Sequence, residues 1–96
     1  MDGVILTPLK QIKSPKGDIF HAMKRSDAGY DGFEEAYFST INKEDIKGWK
    51  KHTKMTLNII VPVGEIEFII YDEDKREFES IKLSQKNYQR LTLKPN

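Results

Sequence analysis

A chain of 96 residues is enough for one small domain, 1–96, with a modest core, because at this length only roughly 60–65% of the unfolded surface is buried. Hydrophobic residues make up 38% and charged residues 32%, which excludes a disordered polar chain. Sixteen basic and fifteen acidic residues leave a formal net charge of +1, so there is no general attraction to nucleic acid or to an anionic membrane, and the absence of cysteine excludes disulfides and thiolate chemistry.

From the amino end, Val4-Ile5-Leu6 gives way to Pro8 and Lys10 before any run long enough for a signal peptide. The longest apolar runs, 59–63 and 68–71, are far too short to span a bilayer. A cytoplasmic location with no membrane partner is the expectation. Short alternations rich in β-branched and aromatic residues predict strands over 4–9 and 19–25, with a turn at Ser14-Pro15-Lys16-Gly17-Asp18 between them. A longer break at 26–32 leads to predicted strands over 35–41 and 46–51, joined at Asn42-Lys43-Glu44-Asp45.

The strongest pattern follows. Met55, Leu57, Ile59, Val61 and Val63 alternate with other residues, as do Ile66, Phe68 and Ile70, and Pro62-Val63-Gly64-Glu65 lies between the two runs. The spacing predicts a hairpin, with Gly64 supplying positive φ and Pro62 marking an edge or a bulge. A charged loop at 72–76 precedes a strand over 78–83, a helical turn at 84–88 and a last strand over 89–93. Seven or eight short strands imply an all-β antiparallel sandwich, jelly roll or barrel. A barrel stopping at Lys94-Pro95-Asn96 would leave an open edge, to be covered by a partner strand, a dimer or further chain.

The densest polar cluster is Lys47-Gly48-Trp49-Lys50-Lys51-His52-Thr53-Lys54, with four lysines and no acid between Asp45 and Glu65. On a strand Lys50, His52 and Lys54 would share one face and Trp49, Lys51 and Thr53 the other. Such a face suits a diphosphate or an enolate oxygen, with the lysines supplying charge and the histidine exchanging a proton near neutral pH. The alternative is a solvated basic edge that discourages strand pairing. His21 and His52 are the only histidines and form no His-x-His pair, so neither a metal site nor a cofactor is expected. Ser39 and Thr40 are candidate ligand contacts, and Tyr30, Tyr37, Tyr71 and Tyr88 are candidate acids that equally suit packing.

The order Tyr37-Phe38-Ser39-Thr40-Ile41, then Ile46-Lys47-Gly48-Trp49-Lys50-Lys51-His52, then 58–64 and 65–72, resembles the cupin core of the dTDP-4-dehydrorhamnose 3,5-epimerase family and the related dTDP-sugar ketoisomerases. Lys47-Gly48 stands where those families have Arg-Gly, Lys50 at the usual histidine of Arg-Gly-x-His, and His52 at the second histidine of the ketoisomerases' His-Ala-His. Ser14-Pro15-Lys16-Gly17-Asp18-Ile19 is similar to an early Asp-x-Arg-Gly-x-Phe turn, and Leu91-Thr92-Leu93-Lys94-Pro95 to a late Leu-x-Ile-Pro-Pro strand.

The resemblance implies a cupin-type (jelly-roll) antiparallel barrel, lacking the family's carboxyl part and closed by dimerisation. It implies isomerase or epimerase handling of a nucleotide-linked 4-keto-6-deoxy sugar in surface polysaccharide biosynthesis, by proton abstraction beside the ketone. Lys50 and His52 would carry the chemistry, and Lys16, Lys47, Lys54 and Ser39 would hold the substrate. The family's acid maps onto no tyrosine of this chain. A non-catalytic sugar-nucleotide-binding cupin and a structural β domain are the alternative readings.

Overall fold

A computed structural model of the chain describes residues 1–51 and 53–95. Among these there are seven strands and no helix, hence no helix long and apolar enough to cross a membrane. The strands are β1 (Val4–Pro8), β2 (Gln11–Ile12), β3 (Ile19–Phe20), β4 (Leu57–Ile59), β5 (Glu65–Asp72), β6 (Glu77–Ser84) and β7 (Gln89–Leu93). They form a three-stranded sheet in the order β1-β7-β4 and two hairpins, β2-β3 and β5-β6, all antiparallel.

Alternation places the core. In β5, Ile66, Phe68 and Ile70 are half-buried, while Glu65, Glu67, Ile69 and Tyr71 are exposed. The register sets Ile66 opposite Leu83 and Phe68 opposite Ile81, so that both strands turn their apolar face one way. Leu91 of β7 joins Ile81, Leu83 and Val61 at the centre, with Val4, Ile59 and Leu93 packed around them. The core thus lies between the three-stranded sheet and the β5-β6 hairpin. Burial of a leucine such as Leu83 or Leu91, both fully enclosed, contributes about 2–3 kcal/mol relative to exposure.

The expected hairpin of 55–63 with 65–71 is not made. Only Leu57–Ile59 is strand there and it pairs with β7, whereas β5 pairs with β6 along its full length. Between them the chain leaves one sheet and enters the other, with Val61 in the core and Gly64 at φ 82°. Pro62 lacks the N–H that would continue a ladder, and the turn at 73–76 gives β5 a better partner. Asp72 Oδ1 accepts from the backbone N–H of Asp74 at 3.0 Å and of Lys75 at 3.3 Å, which closes that charged loop as the sequence suggests. The expected helical turn at 84–88 is a non-helical turn, in which Asn87 N donates to Ser84 Oγ and Asn87 Nδ2 to Lys82 O.

Two other expected strands, 35–41 and 46–51, are irregular. Neither finds a ladder partner, and the Asn42–Asp45 turn between them is held locally by Asp45 N donating to Asn42 O at 3.0 Å. The expected strand over 19–25 keeps only Ile19–Phe20, joined to β2 through the turn in which Gly17 N donates to Ser14 O.

Residues 21–29 leave the ladder because buried side chains of β7 and its approach claim their backbone. Tyr88 Oη donates to His21 O at 2.8 Å, with its ring edge-on to Phe20 at 5.4 Å. Burial pushes the Tyr88 hydroxyl above its ordinary value, so it stays a donor. Arg90, 1% exposed, donates from Nη1 to Ala22 O at 2.7 Å and from Nη2 to Ala28 O at 2.8 Å, and its Nη1 also meets Asp27 Oδ2 at 3.3 Å. Two residues on, Thr92 Oγ1 donates to Asn58 Oδ1 at 2.6 Å and Asn58 Nδ2 donates to Gly29 O at 2.9 Å. Arg90 and Thr92 therefore lie on the sheet face opposite Leu91, sealed by segment 22–29.

The Asp27 carboxyl sits below the ordinary value of 3.8, first because Lys24 N–H donates to it and then because of the Arg90 charge, which together outweigh its partial desolvation. A depressed folded-state pKa stabilises the fold above the unfolded value and loses that contribution as pH falls through the folded value. Asp27→Asn will therefore be less stable than the parent chain at about pH 7, and the gap will close as pH drops below 3.8. Urea midpoints measured against pH check this; a gap that stays constant in acid removes Asp27 from the account.

Candidate functional site

The basic cluster begins where the Asn42–Asp45 turn folds residues 39–40 back onto residue 47. Lys47 Nζ donates to Ser39 Oγ at 3.4 Å and to the carbonyl oxygen of Thr40. Two of the residues singled out in the sequence, Ser39 and Lys47, thus meet, and together they present a cation beside a hydroxyl.

The next residues seat against the tip of the β5-β6 hairpin. Trp49 lies against Phe78 with ring centroids 6.3 Å apart, and Phe78 lies on Tyr71 at 4.6 Å. Lys51 Nζ reaches Glu73 at 2.9 Å. That bond, before the longer-range attraction of the same carboxylate, raises Lys51 above its ordinary value and keeps it an ammonium. Both partners are exposed, so the pair fixes geometry more than it adds stability. Lys50, between these two anchors, is exposed to solvent, as is Lys54.

Strand alternation does not place Lys50 and Lys54 on the expected common face. Among the described residues there is no strand from 46 to 56, because no neighbouring strand supplies the hydrogen bonds that enforce a period of two. His52 lies outside the described residues. Lys16 belongs to another element, the β2-β3 turn, where its backbone N–H donates to Ser14 Oγ, and among the described contacts it meets neither Ser39 nor Lys47.

The ring cluster of Trp49, Tyr71 and Phe78, and Glu73 as the anchor of Lys51, were not legible as a group. The alternation in 65–72 and 78–83 marks Tyr71 and Phe78 as outward residues, but the cross-strand pairing Tyr71↔Phe78 needs the register. Among the described residues no group of three or more His, Cys, Asp or Glu side chains is placed to hold a metal ion.

No protein-family model matches the sequence, and a search of curated proteins finds no match. Among solved structures, the chain is similar to the crystal structure of a dTDP sugar isomerase from Desulfovibrio desulfuricans, with a TM-score of 0.92 and 31% sequence identity. The likeness covers 99% of this chain and 64% of that one, so the present chain spans just under two thirds of the isomerase's length. Agreement over nearly every residue establishes the all-β, cupin-like architecture expected from the sequence.

Proposed function

We propose that this chain handles a nucleotide-linked (dTDP) 4-keto-6-deoxy sugar as an isomerase or epimerase of surface polysaccharide biosynthesis. The observation that carries the reading is the likeness to a dTDP sugar isomerase across 99% of the chain. The exposed basic segment braced by Trp49 and Lys51 supports it. In this reading a base at Lys50 or His52 removes the proton beside the ketone, and the bonding electrons move onto the ketone oxygen. A neighbouring ammonium stabilises the enolate, and reprotonation at carbon gives the product. Lys47 with Ser39, Lys54 and Lys16 contact the diphosphate and the sugar hydroxyls. The reaction uses no cofactor. The active form is a homodimer, whose second copy covers apolar side chains left in solvent, such as Phe38 and Ile46, 100% and 95% exposed.

The test is solvent deuterium uptake into a dTDP-4-keto-6-deoxyhexose in heavy water, with the mass of the protein in solution measured alongside. Protein-dependent uptake beside the ketone is expected from a dimer, and it should fall by about 10²-fold or more in the Lys50→Ala/His52→Ala double variant. Undiminished uptake in that variant rules out this assignment of the base. A second reading, a sugar-nucleotide-binding cupin without chemistry, is favoured by lysine at position 50, where the resemblance places the family's histidine. Tight dTDP binding with no uptake would select it.

A further inference from the structure

The sheet face opposite Leu91 carries a second polar centre, on elements other than the 47–54 segment. In the β1-β7 register Thr7 lies across from Arg90, so both side chains leave on the side sealed by segment 22–29. Where that segment meets the end of β1 there is a cavity of about 260 Å³, lined by Thr7, Lys10, His21, Met23, Lys24 and Asp27 among others.

Its walls are fixed from behind. His21 N donates to Lys10 O at 2.9 Å, and His21 O is held by Tyr88. Ala22 O and Ala28 O are held by Arg90, and Asp27 N donates to Lys24 O at 2.9 Å. A site whose backbone is already ordered spends little binding energy on ordering itself.

The charges are unbalanced in one direction. Lys10, Lys24 and one carboxylate, Asp27, line the cavity, and Asp27 Oδ2 is already engaged by Lys24 N–H at 2.8 Å and by the buried Arg90 at 3.3 Å. Among the described residues neither the Lys10 nor the Lys24 ammonium has an ion-pair partner. The Thr7 hydroxyl and the His21 imidazole add hydrogen-bonding capacity, and Met23 supplies an apolar wall. The volume lies below the roughly 300–1,000 Å³ of sites for drug-sized ligands, which restricts the occupant to a small oxyanion with little or no organic body.

We propose that this cavity binds the phosphate group of a small ligand, through the Lys10 and Lys24 ammonium groups and the Thr7 hydroxyl, independently of any nucleotide-sugar site. The test titrates the ¹⁵N-labelled full chain with inorganic phosphate and with glycerol 3-phosphate at constant ionic strength, sodium chloride serving as reference. Saturable amide shifts are expected at residues 7–10 and 21–27. Equal affinity for the two probes identifies the free anion as the ligand class, and tighter binding of the ester identifies a phosphate monoester. The Lys10→Gln/Lys24→Gln double variant changes only exposed side chains, so its spectrum should stay dispersed while affinity falls about tenfold or more. Lys86→Gln, in the β6-β7 turn, should bind like the parent. Shifts confined to residues 47–54, no saturable shift, or undiminished affinity in the double variant would each overturn the proposal.

Discussion

Replacing Arg90 with methionine will lower the stability of the fold by about 2–4 kcal/mol, although the new side chain fills most of the same space. Breaking a buried, hydrogen-bonded charge from one side costs about 3–5 kcal/mol, because the groups left behind lose their partners. Here those groups are Ala22 O, Ala28 O and the Asp27 carboxylate. Against that loss stands the relief of Nε, a buried donor without a partner among the described residues, worth about 1 kcal/mol or more. The loss involves three bonds and the relief one, so destabilisation wins. In urea, where a domain of this size has a slope of about 1–1.5 kcal/mol per molar, the midpoint should fall by roughly 1.3–4 M. Lysine at the same position keeps the charge but cannot span two carbonyls and a carboxylate as the planar guanidinium does, so it should recover only part of the loss. A methionine variant within about 0.5 kcal/mol of the parent would show that segment 22–29 is held by something other than Arg90.

Gly29→Val carries the second large effect, about 2–5 kcal/mol of destabilisation. Gly29 has φ 88°, a conformation that L side chains rarely adopt. A Cβ built there would lie 2.5 Å from Thr92 Oγ1 and 3.0 Å from both Asn58 Oδ1 and Thr92 Cγ2. None of these atoms is the free end of a flexible chain, since Thr92 is fully buried and its hydroxyl is bonded to Asn58. The clash therefore reaches β7 and β4 together and breaks the chain of bonds from Thr92 through Asn58 to the Gly29 carbonyl. Gly32→Val is the control, because Gly32 also has positive φ, at 76°, but a Cβ added there would meet nothing within 4 Å. The difference between the two variants in thermal or urea unfolding isolates the packing part from the backbone part. Equal losses would mean that close approach to Thr92 contributes nothing.

These two positions show how far the residues could be read without the fold. Arg90 occupies a polar position in the alternation of Gln89-Arg90-Leu91-Thr92-Leu93, which by itself implies a side chain facing water. It faces inward because segment 22–29 lies over that side of β7, and only the tertiary structure brings residues more than sixty positions apart into contact. The basic cluster at 47–54 shows the converse. Its charge, its tryptophan and its place before the apolar run at 59–63 are evident, and the pairing of Ser39 with Lys47 follows from a turn the sequence marks at 42–45. An even-spaced face of Lys50 and Lys54 requires strand geometry, which the described residues of this segment do not adopt.

The sequence by itself determined the all-β class, the positions of β1, β5, β6 and β7, the turns at 14–18, 42–45 and 72–76, and the alternation of Ile66, Phe68 and Ile70. Those features depend on side-chain alternation and on turn chemistry, both local properties of a few consecutive residues. Tertiary structure alone decided which strand pairs with which. It set β4 against β7 rather than β5, left 35–41 and 46–51 without partners, and turned a polar face of β7 into a buried one. Strand pairing satisfies backbone groups that every residue carries alike, so the identity of the partner is written in the competition among all available edges and not in any single segment.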